Sequence, residues 1–88
     1  MSIDWNNGNN QYTAPSGGTC GAISFTNMLD GGNYTLAVQG VTSGTCTFSQ
    51  SGLTFVFSPA NAAITSDGFY KLTRMGTKVY VVWNTNFL

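Results

Sequence analysis

Eighty-eight residues carry three basic and three acidic side chains, no histidine, and a formal net charge of zero. Only 7% of residues are charged, where roughly 25% is ordinary, so Asn, Thr, Ser, Gln and Gly must make the surface polar. This balance argues against a basic nucleic-acid-binding face and against a helical cytosolic enzyme. It suits strands, turns and a secreted or virion-like surface.

The chain is short enough for one domain only, residues 1–88. No apolar run approaches the roughly 20 residues of a membrane helix, so no membrane insertion is expected. The stretch "MSIDWNNGNN" lacks the basic start and apolar core of a signal peptide. Either secretion uses another route, or the chain is a domain cut from a longer protein, and the second is the favoured expectation.

Helical spacing is almost absent, and the chain reads as short strands punctuated by Gly, Asn and Ser. "SIDW" (2–5) and "NQYTA" (10–14) flank the turn "NNGN", and "PSGGT" (15–19) is a loop. "CGAISFTN" (20–27) places Ile23 and Phe25 on one face. The turn "MLDGGN" (28–33) carries Asp-Gly-Gly, which supports a tight hairpin. "YTLAVQ" (34–39) alternates, with Tyr34, Leu36 and Val38 inward. "GVTSG" (40–44) turns again. "TCTFSQ" (45–50) and "LTFVFS" (53–58) meet at Ser51-Gly52, a hairpin candidate. "PANAAITSDG" (59–68) is the longest connection, with room for one helical turn in 60–65. "FYKLTRM" (69–75) and "TKVYVVWN" (77–84) are joined at Gly76 as a second hairpin, and "TNFL" is a tail. No internal repeat stands out. Turns every eight to twelve residues imply an all-β fold: a small antiparallel β-sandwich or jelly-roll-like barrel of seven to eight strands.

Residues 79–83 break the alternation expected of a half-buried strand. Val79, Val81 and Trp83 share one face, and Tyr80 and Val82 share the other. One explanation is a second copy of the chain covering the outer face. The other is a central strand covered by the 59–68 connection.

Cys20 and Cys46 allow one disulfide. Parity opposes it: Cys20 falls outward with Ala22 and Ser24, whereas Cys46 falls inward with Phe48, and residues on opposite faces cannot bridge. Two free thiols are expected, and two cysteines without histidine make no zinc site. A His-dependent triad is impossible, and Asp30 and Asp67 sit beside glycines as turn formers do. The Gly-rich "GGTCG" has no following helix or Lys to cradle a phosphate. Asn33-Tyr34-Thr35 matches a glycosylation acceptor, a tripeptide common by chance. An enzyme is not expected, and a binding or assembly module is. Trp5, Tyr12 and Trp83 are candidate stacking platforms, with a core or interface role favoured for Trp83.

The stretches "IDWNNGNNQYT", "ISFTNMLDGGNYTLAVQG", "GTCTFSQSGLTFVF" and "GFYKLTRMGTKVYVVW", in this order, resemble the C-terminal β-sandwich tip module of phage tail-fibre and appendage proteins. They also resemble the tips of trimeric adhesive fibres of predatory bacteria. The resemblance covers nearly the whole chain. It implies an extracellular homotrimer at a fibre tip, on a virion or a bacterial surface, that binds a cell-surface glycan or protein of a bacterial target. It implies no catalytic residue and no cofactor. The trimer contact is then expected at Val79, Tyr80, Val81, Val82 and Trp83. A structural module that trimerises or caps the fibre without a ligand of its own is the alternative.

If successive strands alternate in direction, the turns at 28–33, 50–52 and 75–77 fall at one end, and 6–9 joins them if 2–14 is a hairpin. The loops at 15–19, 40–44 and 59–68 and the N-terminus fall at the other. A shaft entering through the N-terminus points the first end at the target. The ligand-binding candidates there are Trp5, Asn6, Asn7, Asn9, Asp30, Asn33, Gln50 and Lys78, able to grip a neutral sugar by hydrogen bonds and ring stacking.

Overall fold

A computed structural model describes all 88 residues. The strands are β1 (Ser2–Asp4), β2 (Asn10–Thr13), β3 (Ala22–Thr26), β4 (Asn33–Val38), β5 (Thr47–Ser49), β6 (Thr54–Ser58), β7 (Gly68–Met75) and β8 (Lys78–Asn84). Each strand expected from the sequence is present, with bounds that differ by no more than two residues. The helical turn expected in 60–65 does not form.

The pairing departs from the antiparallel sandwich or barrel. β1, β3 and β5 form a three-stranded sheet that is parallel throughout. The second sheet runs β2-β4-β7-β8-β6. Its outer pairs β2–β4 and β6–β8 are parallel, and its inner pairs β4–β7 and β7–β8 are antiparallel. The first six strands therefore wind as three coils, each placing one strand in each sheet, and the β7–β8 hairpin is inserted between β4 and β6. Of the hairpins expected, only the one at Gly76 exists. The segments 5–9, 27–32 and 50–53 are arches that carry the chain from one sheet to the other.

Apolar residues inside the arches explain the difference. Trp5 and Met28 are buried, and Leu53 packs against the core. A segment that must sink a large side chain between two layers cannot also reverse within one layer, and facing sheets lie about 10 Å apart. Gly76-Thr77, by contrast, has nothing to bury. Gly76 takes φ of 66°, which a tight hairpin turn favours.

Eighteen apolar residues form one continuous core, and no polar residue is buried. β4 and β8 alternate cleanly, with Tyr34, Leu36 and Val38 inward from one and Val79, Val81 and Trp83 from the other. Aromatic rings span the layers. Phe48 meets Tyr70 edge-on at 4.9 Å, Tyr70 stacks on Trp83 at 5.7 Å, and Phe25 lies against Trp5 and Phe48. Edge-to-face and offset pairs of this kind add about 0.5–1.5 kcal/mol beyond the area they bury.

Cys20 and Cys46 are joined by a disulfide, their Cα atoms 5.0 Å apart, which overturns the expectation of free thiols. Alternation holds only within a pleated strand, and β3 begins at Ala22. Gly21 lies between, so Cys20 is buried although Ala22 is exposed. Its partner arch is one residue longer: Thr19 to Ala22 is three steps, whereas the paired Ser43 to Thr47 is four. Gly44, with φ of 94°, absorbs the extra residue beside the Cys20 carbonyl, where a Cβ would collide. The bond links equivalent points of successive coils.

Candidate functional site

The four turns expected at one end do lie together. Arg74 and Gly32 exchange main-chain bonds with the opposite segment: Gly31 N–H donates to Arg74 O at 2.8 Å and Arg74 N–H to Gly32 O at 3.0 Å. Arg74 Nη1 donates to Met28 O at 2.6 Å, Gly76 N–H donates to Asp30 Oδ1 at 2.8 Å, and Met28 N–H donates to Gln50 Oε1 at 3.3 Å. Asp4 Oδ1 accepts from Asn6 N–H at 2.9 Å and from Asn27 Nδ2 at 2.8 Å. The Asn27 amide, and secondarily the Asn6 N–H, hold the Asp4 carboxyl below its ordinary pKa. The segment 6–9 joins this end although residues 2–14 form no hairpin, because crossing to the facing sheet reverses the chain just as a hairpin does.

The eight residues proposed there for ligand contact are not equally free. Trp5 is 2% exposed and packs on Phe25 and Tyr34, so it offers no face to a ligand. Asn9 Nδ2 donates to Asn33 O, and Asn33 Oδ1 accepts from Thr73 Oγ1. Asp30 and Gln50 hold the arches, as described. Asn6, Asn7 and Lys78 are exposed. Most amides and carboxylates of this end therefore serve the fold first.

The opposite end holds the disulfide and the connection 59–67. Ile64 N–H donates to Gly44 O at 2.9 Å, Asn61 Nδ2 donates to Cys46 O at 2.6 Å, and Gly40 N–H donates to Asp67 Oδ1 at 2.8 Å. Both termini are attached here. Met1 O accepts from Ser24 N–H, and Thr85 Oγ1 donates to Asp67 O.

Of the five residues expected at a trimer contact, Val79, Val81 and Trp83 are buried within the chain, Trp83 Nε1 donating to Pro59 O at 2.7 Å. They cannot touch a partner. Tyr80 and Val82 are 49% and 58% exposed. β8 is an inner strand of its sheet, but Tyr80 and Val82 stay exposed on its outer face, so the second explanation of the 79–83 pattern, a cover from the 59–68 connection, fails. Register extends the exposed patch. Val56 lies beside Tyr80, Tyr80 beside Thr73, Val82 beside Lys71, and Met75 beside Lys78.

At the far side of the same face lies a pocket of about 290 Å³ lined by Ala37, Gln39, Asp67, Gly68, Phe69 and Phe87. Sequence reasoning missed it, because its walls come from three separate segments, one of them the tail. A signal for the disulfide was present: Gly-Thr-Cys occurs at both 18–20 and 44–46, just before β3 and just before β5.

No helix is long and apolar enough to cross a membrane. Comparison with protein-family models, with curated proteins and with solved structures finds no match.

Proposed function

We propose that this chain is an adhesion domain of an extracellular fibre tip that works as a homotrimer and recognises a glycan or protein on a bacterial target cell. The observation that carries the reading is the apolar patch of exposed Tyr80 and Val82, extended by half-buried Val56, on the outer face of the five-stranded sheet. Contiguous apolar surface of this kind marks an interaction site. The disulfide adds support, since such bonds persist in oxidising surroundings, as does a surface built from amides and hydroxyls with few charges. Both termini lie at one end, which leaves the turn end free to face outward. Catalysis plays no part in this reading: Asp4 and Asp30 are occupied by main-chain and amide donors, and Asp67 stands at the opposite end of the molecule.

The alternative is a module that trimerises or caps a fibre and binds nothing itself. One observation favours it: Asp30, Asn33 and Gln50 already spend hydrogen-bonding atoms on the fold.

Light scattering at micromolar concentration tests the assembly. A trimer mass is expected, and Tyr80→Asp or Val82→Asp should give a folded monomer, because a carboxylate buried unpaired at an interface costs several kcal/mol. A monomeric native chain refutes the trimer. Saturable binding of the native protein to a bacterial glycan array, or to intact cells, separates adhesion from a purely structural role.

A further inference from the structure

We propose that the pocket on the outer face of the five-stranded sheet is a binding site for a neutral saccharide ring. The proposal rests on the adhesion reading above and names the surface that performs it. Register sets Tyr12, Ala37 and Phe69 in one row across β2, β4 and β7. Tyr12 and Phe69 are two strands apart, about 10 Å. Ala37 between them is too small to fill the gap, so the pocket has a methyl floor with Phe69 as its aromatic wall, and Tyr12, largely exposed, stands outside the lining one strand further on. Phe87 deepens one wall, meeting Phe69 edge-on with ring centroids 6.0 Å apart. The tail that carries it is tethered: Asn86 N–H donates to Ser66 Oγ at 3.2 Å, and Ser66 and Thr85 share a hydroxyl contact at 3.0 Å.

The rim is polar. Asp67 Oδ1 accepts from Gly40 N–H, which orients the carboxylate and leaves its second oxygen to accept from a ligand hydroxyl. The exposed Gln39 side chain supplies an amide donor and acceptor with no bond inside the chain. An apolar floor, an aromatic wall and directional acceptors at the edge match a sugar, which has C–H faces and equatorial hydroxyls. The lining holds a carboxylate and no cation, so it disfavours phosphorylated or acidic sugars. A volume of about 290 Å³ falls just below the roughly 300–1,000 Å³ of small-molecule sites, which suits a single ring. The Val56–Tyr80–Val82 patch lies on the β8–β6 side of the sheet, so self-association and sugar binding use different halves of one face.

The test is an NMR titration of the full chain with the methyl glycosides of glucose, galactose, mannose and N-acetylglucosamine. At least one should give saturable shifts confined to residues 12, 37–40, 67–69 and 87. Phe87→Ala and Gln39→Ala, both at exposed positions, should each weaken that binding about fivefold while leaving the rest of the spectrum unchanged. No saturable shift with any of the four, or shifts elsewhere, overturns the proposal. So does a response to the dipeptide glycyl-proline without one to glycosides, because that marks a peptide site. Cell binding separates this proposal from the adhesion reading. Cells bound equally by native protein and the Phe87→Ala/Gln39→Ala double variant refute the pocket and leave adhesion standing. Glycoside binding without any binding to cells leaves the pocket standing and refutes adhesion.

Discussion

At the end that carries both termini, the arches 14–21 and 39–46 are joined covalently through Cys20 and Cys46. At the opposite end, the arches 5–9, 27–32 and 50–53 are joined by side chains: Asp4 to Asn27, Gln50 to Met28, and Arg74 to Met28. The geometry to be held is the same, successive coils stacked at strand spacing, but the two means respond to different variables. A disulfide acts mainly by restricting the unfolded chain, so its contribution is indifferent to pH and salt. The polar network acts in the folded state through charged and oriented groups, so pH and single substitutions reach it.

Opening the disulfide is the largest perturbation. The bond closes a loop with a sequence separation of 26, and Cys20→Ala/Cys46→Ala should lower stability by about 3–4 kcal/mol on the loop-entropy scale. Hydrogen exchange should accelerate at the Cys20, Thr42 and Ile64 amides, which bond across that end, before it does at Gly31 or Arg74. Uniform acceleration at both ends would show that they are not independent.

Alkaline titration acts on the core shared by both ends. Tyr70 is fully buried and its hydroxyl has no partner. Burial pushes its pKa from 10.0 up to about 12. The unfolded chain ionises first, so the stability Tyr70 contributes is complete below pH 10 and is lost as pH rises toward 12. The loss amounts to roughly 3 kcal/mol. Tyr70→Phe should remove this part of the alkaline decline and should be nearly neutral at pH 7, since no hydrogen bond is lost. Chemical denaturation of both proteins at pH 7 and pH 11 checks it; equal alkaline declines would refute the assignment.

Arg74→Ala attacks the polar end. It removes the donors to Met28 O and Gly76 O, and charged hydrogen bonds of this kind are worth about 1.5–3 kcal/mol. A stability loss near 2 kcal/mol is expected, with faster exchange at Gly31 and unchanged exchange at Ile64. Arg74→Lys should recover only part of it, because an ammonium cannot reach two acceptors in the fork geometry of a guanidinium.

Asp4 gives the smallest effect. Its carboxyl is solvent-exposed and its pKa is lowered by Asn27 and then by the Asn6 N–H. Its contribution is therefore full above the ordinary carboxylate pKa and fades as pH falls through the lowered folded value. Asp4→Asn should lower the melting temperature slightly at neutral pH and hardly at all at acid pH, which flattens the acid limb of the profile. An unaltered acid limb would assign acid sensitivity elsewhere.

Much of this fold was legible residue by residue. The alternation in 34–39 and 77–84 identified the inward faces of β4 and β8, and the failure of alternation at Tyr80 and Val82 correctly pointed to apolar surface left outside. The grouping of the turn end was legible too, since it needs only that the chain reverse at each connection. The assignment of Trp5 to a binding surface was wrong for the same reason as the hairpin at 6–9. Both treated an arch as a solvent-facing turn, although Trp5, Met28 and Leu53 each lie in a connection between strands where a hairpin turn should be polar.

What the sequence determined by itself is local. A period of two sets which side chains point together, and Gly, Asn and Asp set where strands stop, so eight strands and their faces follow from neighbours alone. Only the tertiary structure decided which strands are partners. β5 could join β6 in a hairpin or cross to β3, and the choice turns on whether Leu53 is buried against residues far away in the chain. The same holds for the disulfide, whose cysteines meet because coils stack at the strand spacing and Gly44 absorbs one extra residue. It holds also for the pocket, where register sets Ala37 beside Phe69 and the tail brings Phe87 to them. Register depends on the sum of many contacts of long sequence separation, which no short stretch of the chain specifies.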